Sequence, residues 1–126
     1  MKVLIDTNFI LTCVKQKIDL ADAESILNEK IEWVVPQEVL NELGNLKDRA
    51  GTKVSDRDAA KVSFEILQIL KPEIVEIGGH NPNTDMGILN YILGTDIVLA
   101  TLDRGLKERV KNRILTIRRK KKLEII

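Results

Sequence analysis

Short apolar runs alternate along the chain with longer segments whose apolar residues recur every three or four positions. Lys2-Val3-Leu4-Ile5 predicts a buried strand. Asp6-Thr7 then supplies N-cap chemistry, and Phe9, Ile10, Cys13 and Val14 follow at helical spacing. A second helix is predicted from Asp19 to Lys30, with Leu20, Ala23 and Leu27 on one face. Glu32-Trp33-Val34-Val35 reads as a second strand closed by Pro36. Proline loses nothing at a first helical turn, where its missing N–H would be unpaired, and the helix it opens carries Val39, Leu43 and Leu46 inward. Residues 48–54, with Gly51, read as a loop. Ser55 with Asp58 resembles a cap for a long helix whose stripe is Ala59, Val62, Ile66 and Ile69/Leu70, stopped by Pro72.

Glu73-Ile74-Val75-Glu76-Ile77 alternates as a strand, and Gly78-Gly79-His80-Asn81-Pro82-Asn83 carries the strongest loop signal. Thr84-Asp85 caps a helix to Leu93, which Gly94 ends. Ile97-Val98-Leu99-Ala100 is unbroken, as suits a strand covered on both faces. Asp103 starts a turn into a helix over Leu106–Lys111. Ile114 to Ile117 is the next strand, with Leu123-Glu124-Ile125-Ile126 as a short hairpin partner. Strands alternating with helices predict an α/β fold, three layers α/β/α around a mostly parallel sheet, with residues 1–126 as a single domain. In such folds ligands sit beyond the carboxyl ends of the strands.

Composition narrows the function classes. With 44% hydrophobic and 31% charged residues the chain is not of the disordered type. No apolar run approaches the ~20 residues of a membrane span, and no cleavable signal pattern precedes the first strand, so a cytoplasmic protein without a membrane partner is expected. One cysteine excludes a disulfide framework and a zinc cage of the CxxC type. Aromatics at 3% argue against RNA modules that stack bases on exposed rings. Charge is uneven: ten Lys/Arg face sixteen Asp/Glu up to Leu102, but ten face three from Asp103 onward. The basic segment 104–122 suits a polyanion partner, although a solvated helix and tail would give the same count.

Four carboxylates fall where the strand-end rule wants a site. Asp6 follows the first strand and Asp103 the fourth. Asp85 lies in the first turn of a helix, and Glu42 lies on the helix after Pro36. Each has a simpler reading: Asp6 and Asp85 as helix caps, Glu42 as one charge on a solvated face, Asp103 as a turn residue. Converging in one cleft, they would repel one another, and a divalent cation would remove that conflict. Oxygen donors without a histidine partner suit Mg²⁺ or Mn²⁺ rather than zinc. Such an ion suits phosphodiester cleavage, because it polarises the phosphoryl oxygen and acidifies water.

The strings Leu4-Ile5-Asp6-Thr7-Asn8, Val34-Val35-Pro36 leading to Val39-Leu40-Asn41-Glu42-Leu43, Asp85 opening an apolar helix, and Ala100-Thr101-Leu102-Asp103-Arg104 with Leu106-Lys107 resemble the PIN domain, over Val3 to about Leu123. The resemblance implies a Rossmann-like PIN fold and a metal-dependent endoribonuclease that leaves 5′-phosphate and 3′-hydroxyl ends. It implies that Asp6, Glu42, Asp85 and Asp103 are catalytic and hold Mg²⁺ or Mn²⁺, that Asn8 orients Asp6, and that Thr101 lines the same cleft. Asp6 to Leu11 and Ile117 to Leu123 resemble small archaeal-type PIN proteins related to the pre-ribosomal RNA nuclease more than VapC-type toxins. Ribosomal RNA processing with a pre-ribosomal partner is therefore the first role implied. A toxin held by an antitoxin and a catalytically silent RNA-binding or assembly subunit are the alternatives. Family habit implies a homodimer. Two departures bear on a second ion rather than the first: Met86 follows Asp85 where a second acid is common, and Leu102 precedes Asp103 where a polar residue is common.

Arg104, Lys107 and Lys111 are spaced to share one helix face beside Asp103, where they can meet RNA phosphates or simply solubilise the face. Arg118 to Lys122 can bind a phosphate backbone in a salt-dependent way, or guard a sheet edge. His80 reads as an exposed loop residue, Cys13 as a packed small hydrophobe without a basic partner, and Trp33 as an edge residue of the sheet or a subunit. No GxxxxGK[ST] and no GxGxxG after a strand is present. A response-receiver domain would need a phospho-acceptor acid where Trp33-Val34-Val35-Pro36 has none.

Overall fold

In the computed structural model, which describes residues 1–78, 84–119 and 122–126, the run Lys2–Ile5 forms strand β1 inside a six-stranded sheet. The chain continues through α1 (Thr7–Lys15), α2 (Asp22–Leu27), β2 (Glu32–Pro36), α3 (Gln37–Asp48), α4 (Val54–Leu70) and β3 (Glu73–Val75). It returns through α5 (Thr84–Ile92), β4 (Val98–Ala100), α6 (Arg104–Arg109), β5 (Ile114–Arg118) and β6 (Lys122–Ile125). The strand order is β3-β2-β1-β4-β5-β6, parallel except for the final antiparallel pair. From β1 the chain winds outward to β2 and β3, then crosses to β4 and β5 on the other side. The winding therefore reverses between β1 and β4, where a crevice opens beyond the strand ends.

Alternation along each strand sorts the core into two layers. Val3, Ile5, Trp33, Val35, Val98 and Ala100 join one apolar cluster with Phe9, Ile10, Val39 and Leu43. Leu4, Val34 and Leu99 join the other, with Ile77, Ile88, Ile92 and Leu106. Helices α1, α3 and α4 pack on one another over the first face, and α5 and α6 serve the second. Both faces are covered, which is why these strands read as unbroken apolar runs. Burial of each such Leu, Val or Ile contributes about 1.5–3 kcal/mol.

Several elements depart from expectation. Helix α2 is shorter than Asp19–Lys30: the Asp19 carboxylate accepts from the Ala21 N–H (2.9 Å), and Asn28 at φ +53 closes the helix. Ser55 does not cap α4, which begins at Val54 with no side-chain cap. The inner face of α4 is Ala59, Ala60, Ser63 and Leu67, while Val62 and Ile69 are 39% and 79% exposed. Small residues let α4 approach its neighbours closely, and Ser63 is tolerated there because its hydroxyl donates to the Ala59 carbonyl (2.8 Å). Strand β3 ends at Val75, and the Ile77 N–H instead bonds both Glu38 carboxylate oxygens (3.3 and 3.2 Å). Trp33 is buried in an interior strand rather than at an edge. Cys13 is packed, and burial pushes its thiol up to about 12. His80 lies outside the described residues. Among the described residues, no helix is long and apolar enough to cross a membrane.

Candidate active site

The end of β1 is tied to the end of β4, since the Asp6 N–H donates to the Ala100 carbonyl (3.0 Å). Asp6 leaves the strand in extended backbone and becomes the N-cap of α1. Its Oδ1 accepts from the Thr7 N–H (2.8 Å) and its Oδ2 from the Thr101 hydroxyl (2.9 Å). Thr101 Oγ1 accepts in turn from the Asp103 N–H (3.1 Å). Asp103 caps α6 by accepting from the Leu106 N–H (3.1 Å). One buried hydroxyl thus fixes the Asp6 side chain and the Asp103 backbone together.

The other two acids come from helices on opposite faces of the sheet. Glu42, half-buried on α3, accepts from the Thr84 hydroxyl of α5 (2.9 Å), so this bond spans the open end of the sheet. Gly87 allows α5 to come so close: a Cβ there would collide with the Ile77 carbonyl oxygen. Asp85 sits in the first turn of the same helix.

Electrostatics links the four. Asp6 is only 7% exposed, and its carboxyl is pushed up to about 6. Burial is the main cause. The Thr101 hydroxyl and Thr7 amide oppose it, and the charges of Asp85 and Glu42 add to it. Asp85 is raised by burial and by Asp103 and Glu42, against the pull of Arg109. Each acid therefore lies within the field of at least one other, with Asp85 facing all three.

The donor set fits a hard divalent cation in kind: oxygen only, negatively charged, and electrostatically uneasy without a counter-charge. It is not a closed cage. Among the described residues no three His, Cys, Asp or Glu side chains are grouped so as to hold a metal ion. Oxygens of Asp6, Asp103 and Glu42 are occupied by the Thr101, Leu106 and Thr84 donors.

Thr101 is fully buried, with its hydroxyl on the Asp6 carboxylate. Asn8 is exposed, and the donors that orient Asp6 are Thr7 and Thr101 instead. Arg104 and Lys107 stand on α6 directly after Asp103. Lys111 lies beyond the end of that helix, so the three do not share one helical face. Sequence reasoning missed Thr84 as a partner of Glu42 and missed Arg109, whose guanidinium reaches Met86 Sδ (3.0 Å) beside Asp85. It also missed Gly87, although a glycine inside an apolar helix is a signal of close packing.

A doubly wound α/β sheet with an acidic crevice at its switch point is the class these features define. The chain belongs to the PIN-like domain family, whose model matches residues 3–121. It is similar to the solved PIN domain endonuclease Utp24, with a TM-score of 0.78 and 25% identity over 98% of this chain and 90% of that one. It is also similar to a chain of VapBC2 from Rickettsia felis, solved bound to a DNA fragment from their promoter. There the TM-score is 0.64 at 14% identity, over 92% of this chain and 98% of that one, a likeness of fold. No curated protein sequence matches the chain.

Proposed function

We propose that the protein is a metal-dependent endoribonuclease that hydrolyses RNA phosphodiester bonds in the crevice between β1 and β4. Asp6, Glu42, Asp85 and Asp103 are its catalytic residues and would hold Mg²⁺ or Mn²⁺. The observation that carries this reading is the tie of buried Asp6 to Asp103 through Thr101, with Glu42 and Asp85 brought to the same end of the sheet by α3 and α5. Family membership and the similarity to the endonuclease Utp24 support it. When bound, the ion supplies a Lewis acid for the phosphoryl oxygen and a lowered pKa for water.

The chain's own residues set up that chemistry. Thr7 and Thr101 hold the Asp6 carboxylate in one orientation at the strand end. The bond from Thr101 to the Asp103 N–H keeps Asp103 in step with it. Glu42 and Asp85 close the crevice from the two helical layers. Arg104 and Lys107 bring positive charge next to Asp103 for the RNA backbone. The resemblance of Asp6 to Leu11 and of Ile117 to Leu123 to small archaeal-type PIN proteins favours ribosomal RNA processing over a toxin role.

Incubating the protein with a structured RNA tests this. Cleavage should require Mg²⁺ or Mn²⁺, stop in EDTA, and leave 5′-phosphates. Asp6→Asn should slow it roughly 1,000-fold or more while circular dichroism stays unchanged. Equal cutting by Asp6→Asn, or cutting in EDTA, would overturn the assignment.

A further inference from the structure

A second hollow of about 400 Å³ lies beside the crevice and shares Glu42 with it. The first turn of α1 contributes Thr7 and Asn8, α3 contributes Glu42, Asn45 and Leu46, and Arg49 and Thr52 follow the end of α3. Asn45 and Leu46 are three and four residues beyond Glu42 and share its helix face, and Arg49 is the residue that closes the helix. The far wall is built firmly: the Arg49 N–H bonds the Asn45 carbonyl (2.9 Å), and the Thr52 N–H bonds the Arg49 carbonyl (3.3 Å). Gly51 makes that turn possible with φ +85.

The lining is chemically specific. Arg49 is exposed and makes no ion pair among the described residues. Asn8 and Asn45 each offer a donor and an acceptor, and Leu46 offers an apolar surface. The larger hollow between α5 and α6 lacks this character. Its Asn112 amide is already spent on the carbonyls of Ile92, Thr95 and Ile97 (3.3, 3.0 and 2.9 Å).

We propose that the hollow beside Glu42 is a nucleotide subsite that takes one unpaired nucleotide of the RNA strand next to the bond cut in the crevice. This rests on the endoribonuclease reading above. The phosphate goes to Arg49, because Glu42 at the other end repels it. Asn8 and Asn45 read the base edge, and the base lies against Leu46. The volume suits one nucleotide, which matches how proteins read unstacked RNA bases.

Binding by the Asp6→Asn protein tests the subsite without turnover. The probes are fluorescein-labelled single-stranded RNA oligonucleotides that differ only in the central base, with DNA versions as controls, read by anisotropy. Adding Arg49→Ala should weaken every RNA at least about tenfold and lower the slope of log K against log salt by about 0.7, the share of one phosphate contact. Adding Asn45→Ala should flatten the preference among central bases. Arg49 and Asn45 are exposed, so neither substitution threatens the fold. Unchanged affinity, slope and base order in Arg49→Ala and Asn45→Ala would overturn the subsite, even if the unsubstituted protein cuts RNA. If it cuts nothing while binding still depends on Arg49 and Asn45, the subsite stands and the nuclease reading falls.

Discussion

Asp6 and Asp103 reach the crevice from strand ends, whereas Glu42 and Asp85 reach it from helices. The first pair is fixed by the sheet: β1 and β4 are hydrogen-bonded neighbours, and Thr101 ties the Asp6 carboxylate to the Asp103 backbone. The second pair depends on how α3 and α5 are docked, which rests on the Thr84–Glu42 bond and the close approach at Gly87. A rigid half and a docked half divide the labour. The sheet sets where the negative charge is, and the helices set how tightly the crevice closes.

If docking at Gly87 holds the helical half in place, Gly87→Ala should be the most damaging change. Overpacking against the Ile77 backbone should cost about 3 kcal/mol in urea unfolding, whereas a control alanine at Gly44, inside α3 where a Cβ meets nothing, should gain up to about 1 kcal/mol. Equal effects at the two positions would show that the close approach is not a constraint.

The rigid half has a pH signature. The folded-state pKa of Asp6, about 6, lies above its ordinary 3.8, so the fold favours the protonated acid. The stability this contributes is full below pH ~4 and is lost as pH rises through about 6, up to about 3 kcal/mol in total. In EDTA, Asp6→Asn should therefore melt well above the unsubstituted protein at pH 7 and close to it at pH 4. A gap independent of pH would mean that the Asp6 carboxyl is not perturbed.

Thr101→Val keeps the shape but removes the donor to Asp6 and leaves the Asp103 N–H without its acceptor. About 2 kcal/mol of stability should go, and cleavage should fall roughly 10–100-fold, as for other groups that orient metal ligands. Thr84→Val should do least, below about 1 kcal/mol, because the bond it removes is partly exposed and Glu42 can then turn toward the crevice. If Thr84→Val proves more costly than Thr101→Val, the division into rigid and docked halves is wrong.

Much of the rigid half was legible in the sequence. Val3-Leu4-Ile5 and Val98-Leu99-Ala100 are unbroken because both sheet faces are covered, and the carboxylates that follow them at positions 6 and 103 inherit a defined place. The docked half was legible only as residue types. Glu42 and Thr84 are 42 residues apart and meet across two helical layers, which no local period encodes. The face of α4 was misread for a related reason. Its inner seam is made of Ala59, Ala60 and Ser63, so the most apolar residues are not the most buried. Lys111 was placed on a helix that stops at Arg109, because its spacing from Arg104 and Lys107 matches a helix whether or not one continues.

Manganese titration followed by calorimetry and thermal melting tests most directly whether the two halves act as one cation-binding group. The unsubstituted protein should bind Mn²⁺ and gain about 2.7 kcal/mol of stability at 100 times its Kd, while Asp6→Asn and Asp85→Asn should both lose that gain. Binding that survives in both variants, or no binding by the unsubstituted protein, would contradict the account.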